Sequence, residues 1–259
     1  MNSAELTNFN YAMSILSGVS WTIVYLVIIY RGFKDKASGM PLIALGLNFS
    51  WEFIYSFVFP VQNTVQLIIN IVWCIFDVVI IYQKFLYGRE EFEKNLKGFG
   101  EKLFYPSIIS SLVVCLFAVY FAAVEFNDYI GLYSAFIMNL LMSVSFITML
   151  TKRGTLNGQS FYIAFFKLLG TLAPTILFSF FYKGMYLATA AVPETSTTFG
   201  MILGGGYLSL AGGSVVIWHP LIFVIGLACF FYDTIYLVIV CREYKKLDFN
   251  LLTRKARGI

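Results

Sequence analysis

Histidine is nearly absent from this chain, and charge is scarce. The single His219 leaves no basis for a bis-histidine haem or a histidine-cluster metal site. Charged residues make up 12% of 259 positions, where a soluble domain carries about a quarter. Four cysteines, Cys74, Cys115, Cys229 and Cys241, lie in or beside apolar segments without C-x-x-C spacing. They read as small buried hydrophobes, not a disulfide or zinc framework. The first ten residues carry Glu5 but no Lys or Arg, so the basic start of a cleavable leader is missing. There is no D-D-x-x-D cluster for binding a magnesium diphosphate, and no lysine in the last apolar segment to which a retinal could be attached.

What is abundant is apolar and aromatic. Hydrophobic residues make up 59% and Phe, Tyr and Trp 19%, and the mean hydropathy is +0.78. The class is an all-α polytopic membrane bundle. Seven segments are long enough to span about 30 Å at about 1.5 Å per residue: 11–30, 41–59, 64–84, 106–125, 129–151, 161–182 and 220–241. They form one transmembrane domain over residues 1–259. Basic residues set its expected orientation. Arg31, Lys34 and Lys36 follow the first span; Lys84, Arg89, Lys94, Lys97 and Lys102 lie at and after the third; Lys152 and Arg153 follow the fifth; Arg242, Lys245, Lys246, Arg254, Lys255 and Arg257 form the tail. Only Lys183 lies on the other side. The N-terminus is therefore expected outside or lumenal and the C-terminus cytosolic. The net charge of +4 reflects this topology, not nucleic-acid binding.

Two connections are distinctive. The stretch 90–101 mixes both charges and reads as an interfacial helix or solvated connector. Lys183 to Pro220 contains Gly204, Gly205, Gly206, Gly212 and Gly213 and reads as a glycine-rich lid or re-entrant loop. An eighth span there would place the basic tail outside. Trp73-Cys-Ile-Phe-Asp77 and Cys229-Phe-Phe-Tyr-Asp233 also share a weak internal similarity, as in a 3+1+3 arrangement.

Three carboxylates fall deep within spans: Glu52, Asp77 and Asp233. On insertion scales an acid at bilayer depth costs about 2.5–3.5 kcal/mol. An interhelical hydrogen bond returns only about 0.6 kcal/mol on average. Packing alone does not justify them. Helical spacing puts Asn48 and Tyr55 on the face of Glu52, with Trp51 one step round. Trp73 and Asn70 share the face of Asp77, and Cys229 and Tyr236 that of Asp233, with Tyr232 adjacent. Glu125 sits at a span end and reads as interfacial. Lys167 reads as structural, near enough to a span end to snorkel.

A carboxylic acid withdrawn from water favours its neutral form, which is a proton donor. Donation to a substrate and donation along a transport cycle both remain open on this ground. The aromatics favour the first: Trp51, Tyr55, Trp73, Phe76, Tyr232 and Tyr236 flank the acids, and ring faces stabilise cations by about 2 kcal/mol or more when desolvated. An acid that makes a carbocation inside an aromatic, dry cavity is what polyene cyclisation requires.

The chain resembles the small seven-helix integral-membrane terpene cyclases of fungal meroterpenoid and indole-diterpene biosynthesis, which have bacterial relatives. The resemblance rests on length, seven spans, Asn48-Phe-Ser-Trp51-Glu52, Trp73-x-x-x-Asp77 and Asp233. It implies that Glu52 and Asp233 are the essential acids; Asp77, a third deep acid, is expected to tune or orient them. It further implies protonation of an epoxide or alkene on a prenylated substrate, a cation cascade ended by proton loss, and no metal or cofactor. The expected partners are that hydrophobic substrate and the lipid bilayer, in a bacterial plasma membrane or a eukaryotic endoplasmic reticulum. The alternative from another class is a 3+1+3 small-solute transporter with proton-coupled carboxylates.

Overall fold

The computed structural model describes residues 3–95, 100–182, 206–209, 215–218 and 220–251. Eight helices are present among them. They are α1 (Ser3–Asp35), α2 (Leu42–Phe53), α3 (Thr64–Tyr87), α4 (Arg89–Asn95), α5 (Gly100–Glu125), α6 (Leu132–Arg153), α7 (Phe161–Ser179) and α8 (Pro220–Lys246). Six are long and apolar enough to cross a membrane: α1, α3, α5, α6, α7 and α8. The seventh expected span is α2 continued by a π-helical turn, Ile54–Val58.

Local chemistry sets the ends of these elements. Pro41 precedes α2 with extended backbone (ψ 143°), as its ring requires no donor there. The π turn closes with Phe59 N–H donating to Ile54 O at 2.8 Å, and Pro60 then ends the helix. Asn63 caps α3 by accepting from Gln66 N at 3.0 Å. Gly131 and Gly154 bracket α6 with φ of +74° and +64°, a region costly for residues bearing a Cβ.

Outer faces of the helices carry exposed Ile15, Val19, Ile68, Ile75, Val114, Phe121, Val224 and Phe231, while amides and acids turn inward. This inside-out distribution is what a lipid solvent selects. Helix packing follows a closed ring in the order α1, α3, α2, α6, α8, α7 and back to α1. Helix α5 stands outside it against α2. The ring explains how acids on spans two, three and seven can serve one interior.

The basic connections meet at one end of the bundle. Arg153 bridges Glu91 of α4 at 2.7 Å and donates to Ser38 O at 2.9 Å. Gly158 N donates to Asp35 Oδ2 at 2.9 Å, and Gln159 Nε2 to Gly39 O at 2.7 Å. The mixed-charge stretch after α3 is thus helical over Arg89–Asn95 and pinned to the α6–α7 connection.

Sequence and structure differ in places. Helix α1 begins at Ser3 and α8 runs to Lys246, beyond the expected 11–30 and 220–241. The sixth span stays helical only to Ser179; Phe180–Tyr182 is a strand, β1. It pairs antiparallel with β3 (Val215–Trp218), which also pairs with β2 (Gly206–Ser209). The remainder of the expected glycine-rich lid, 183–205, 210–214 and 219, lies outside the described residues.

Candidate active site

The acids form two clusters. In the first, α2 presents Asn48 and Glu52 one helical turn apart, α3 presents Asp77, and α1 presents Tyr25. All four are at most 5% exposed. Asn48 Nδ2 donates to Asp77 Oδ2 at 2.8 Å and also to the Tyr25 hydroxyl. Glu52 Oε2 and Asp77 Oδ1 are buried without a hydrogen-bond partner among the described residues. Neither acid makes an ion pair there. Trp73 stacks on Tyr25 with centroids 5.8 Å apart, and Phe76 meets the same ring at 5.8 Å. Trp73 is held in turn by Nε1 donating to Thr22 Oγ1 at 3.1 Å.

The second cluster centres on Asp233 of α8, fully buried beside an equally buried Lys167 of α7. Lys167 Nζ lies 2.5 Å from Asp233 Oδ1, 2.7 Å from Ser143 Oγ and 3.5 Å from Asn139 Oδ1. The rings of Trp21 and Phe146 each lie 5.9 Å from Nζ. Asp233 Oδ2 has no partner among the described residues. The expectation that Lys167 snorkels is overturned. Its face of α7 points into the ring, where an anion, a hydroxyl and two aromatic faces hold the ammonium more firmly than a reach to the membrane surface would.

Between the clusters lies a cleft lined by Trp21, Tyr25, Ile28, Asn48, Met142 and Phe146, among others. About 10 Å³ is open to a water's centre, room for about one molecule. Tyr25 and Asn48 bring the first cluster to this cleft; Trp21 and Phe146 stand between the cleft and Lys167.

The structure divides the residues singled out in the sequence. Glu52, Asp77, Asn48, Trp73 and Phe76 come together. Asp233 stands across the cleft with Lys167. Tyr236, fully buried, sends its hydroxyl to the Gln159 side chain and meets Phe146 edge-on at 5.5 Å. Tyr232 is half-buried with its ring against Phe231. Trp51 and Tyr55 turn from Glu52 toward the α5–α6 loop. Trp51 Nε1 donates to Gly131 O at 3.0 Å and Tyr55 Oη to Asp128 O at 2.6 Å. The Asp128 carboxylate in turn caps α6, accepting from Ser134 N at 2.8 Å. Burial pushes the Asp128 carboxyl above the usual range, although backbone N–H groups of α6 pull it down. Asn70 is fully buried, accepting from Gln66 at 2.7 Å.

Sequence reasoning missed Tyr25, Trp21, Asn139, Ser143 and Phe146, and misjudged Lys167. Lys167 had a signal, because a mid-span cation implies a mid-span anion and Asp233 was already in view. Tyr25 had none, being one of 17 tyrosines in an apolar helix.

The description of the Pyr4-like transmembrane terpene cyclases matches residues 3–203, most of the chain. The Pyr4-family terpene cyclase mfmH of Annulohypoxylon moriforme is 28% identical over 63% of this chain and 67% of its own length. The terpene cyclase macJ of Penicillium terrestre is 30% identical, covering 63% and 64%. The asnovolin H synthase nvfL of Aspergillus novofumigatus is also 30% identical, covering 62% and 65%. The chain thus spans about two thirds of the length of these relatives. Their names accord with the cyclase resemblance and lend nothing to a transporter. No solved structure matches this chain. With six long apolar helices around buried acids, and with this match over most of its length, the chain is an integral multi-pass membrane protein that belongs to the Pyr4-like transmembrane terpene cyclases.

Proposed function

We propose that this protein cyclises a prenyl chain carried on an aromatic or polyketide head, by protonating a terminal epoxide (or alkene) and guiding the resulting carbocation. The observation that carries this reading is the Glu52–Asp77 pair. Two adjacent acids lie in a dry site, without a cation among the described residues, each with an oxygen left unpartnered. A charge so placed is costly, and such a pair neutralises itself by holding protons. It is therefore the acid. Asp233 is different, because Lys167 balances its charge. As an anion it suits the other end of the reaction. The cascade ends when a C–H electron pair becomes a C=C bond and the proton passes to Asp233 Oδ2, the oxygen Lys167 leaves free. After product release that proton returns through water to Glu52, so the net reaction is an isomerisation.

Tyr25, Trp73, Phe76, Trp21 and Phe146 supply ring faces for the travelling cation. A cleft this small must open for the substrate, which enters from the bilayer. The basic end of the bundle, with Arg31, Lys84 and Arg153, faces the cytosol. The host membrane is the endoplasmic reticulum in a eukaryote or the plasma membrane in a bacterium.

The test is incubation of membranes containing the protein with epoxy-farnesyl and epoxy-geranylgeranyl aromatics, followed by chromatography with mass detection. A product of unchanged mass and shifted retention, absent with Glu52→Gln, is expected. Folded protein that converts no member of the panel would overturn the reading.

A further inference from the structure

Trp21 lines the cleft, and its indole is seated on α7. A Cβ at Gly170 would stand 3.0 Å from Cδ1 and Nε1 of the ring and 3.3 Å from Cγ, inside the about 3.5–4.0 Å of an ordinary carbon contact. The indole thus lies where any larger residue at 170 would place its side chain. Four residues before Trp21, Ser17 Oγ donates to Gly170 O at 3.0 Å. The same point of α7 is therefore tied to the face of α1 that carries the indole. Next along α1, Thr22 Oγ1 accepts from Trp73 Nε1 at 3.1 Å and ties this turn to α3 as well. Lys167 lies one turn before Gly170, with its Nζ 5.9 Å from the indole ring.

The other side of the lining is softer. Met40 and Met142 also border the cleft, and both are buried. Methionine is unbranched and repacks into irregular space at little cost. A chain that enters the cleft displaces these side chains before it displaces an indole backed by a glycine and pinned through its own helix to two others.

From this geometry, and resting on the cyclase reading above, we propose that Trp21, seated on Gly170, is a specificity-determining residue that sets the length of prenyl chain the protein accepts. The epoxide end of the chain has to reach the acid pair. The indole stands on the Lys167 side of the cleft and limits how far the chain extends from there. One methylene more or less in an apolar pocket is worth about 10–200-fold in kcat/KM. A small shift of a fixed wall therefore decides between chains that differ by a whole prenyl unit. Two substitutions move this wall in opposite directions. Trp21→Phe removes one ring and withdraws it. Gly170→Ala pushes the indole off α7 toward the cleft, while the Ser17–Gly170 hydrogen bond keeps the two helices from parting to make room.

The experiment is a competition on membranes containing the full chain. Epoxy-farnesyl and epoxy-geranylgeranyl derivatives of one aromatic head are supplied together, and both products are quantified at low conversion. The product ratio is then the ratio of the two kcat/KM values. It does not move with the amount of folded protein or with a general loss of rate. Trp21→Phe is expected to raise the ratio of longer to shorter chain about tenfold or more, and Gly170→Ala to lower it by about as much. A folded Trp21→Phe protein with a ratio within about twofold of the parent overturns the proposal and leaves the cyclase reading intact. So does a Gly170→Ala protein whose ratio rises. A parent that converts neither chain removes the cyclase reading and the proposal with it. Should one variant not fold, the other decides alone.

Discussion

Lys167→Met tests the most consequential pairing in the interior. The substitution removes an ammonium that contacts Asp233 at 2.5 Å and Ser143 at 2.7 Å, with both charged side chains fully buried. It leaves an anion without its counter-charge. Breaking one side of such a pair costs about 3–5 kcal/mol, whereas replacing both members with apolar residues of similar volume is often neutral or stabilising. Lys167→Met and Asp233→Leu are therefore each expected to lose about 3–5 kcal/mol. On the scale of soluble chains of this size, that is roughly 6–20 °C in the unfolding midpoint. The double variant is expected to recover most of the loss. The assay is a double-mutant cycle on detergent-solubilised protein, followed by thermal unfolding and by retention on size exclusion. Losses that simply add in the double variant would refute the reasoning, because they would show that the two charges do not depend on each other. The recovered double variant should nevertheless fail to make the parent product, since the proposed terminating base is gone. Retention of that product at the parent rate would remove Asp233 from the mechanism.

Three further outcomes follow from particular contacts. Glu52→Gln keeps the size and a hydrogen-bonding end, so the protein should fold while conversion drops about 10²–10⁴-fold; conversion within twofold would exclude Glu52 as the acid. Gly131→Ala places a Cβ 2.8 Å from the Tyr55 ring and 2.9 Å from Trp51 at a φ of +74°, so it should lower the unfolding midpoint by roughly 2–8 °C, from about 1–2 kcal/mol of strain; an unchanged midpoint would show that the α5–α6 loop yields freely. Asp128, whose folded-state value is raised by burial, binds its proton more tightly folded than unfolded. Its contribution is therefore full below the ordinary value of about 3.9 and declines as pH rises from there through the raised value. The unfolding midpoint of the parent relative to Asp128→Asn should fall as pH rises through that window, and a relative midpoint that climbs with pH would reverse the assignment.

Much of this protein is legible in its sequence because a bilayer enforces simple rules. Apolar runs of sufficient length have to be helices, and the expected spans are helical over most of their length, with Ile54–Val58 as a π turn before Pro60 and Phe180–Tyr182 as a strand. Three acids inside such runs are too costly to be incidental, so Glu52, Asp77 and Asp233 stood out without any structure. Helical spacing correctly joined Asn48 to Glu52. It also assigned Trp51 and Tyr55 to the acid, where the structure turns both rings to the α5–α6 loop, because periodicity gives the face of a helix but not which neighbour that face meets.

What only the tertiary structure decided is the order of helices around the ring. Placing α6 beside α2, and α7 between α1 and α8, puts Lys167 against Asp233 and leaves Glu52 and Asp77 without a cation among the described residues. That division sorts three similar carboxyls into a pair without a counter-charge among the described residues and a balanced anion. It depends on distances of a few ångströms between residues far apart in the chain, and charge interactions at such distances in a dry interior outweigh anything local sequence encodes.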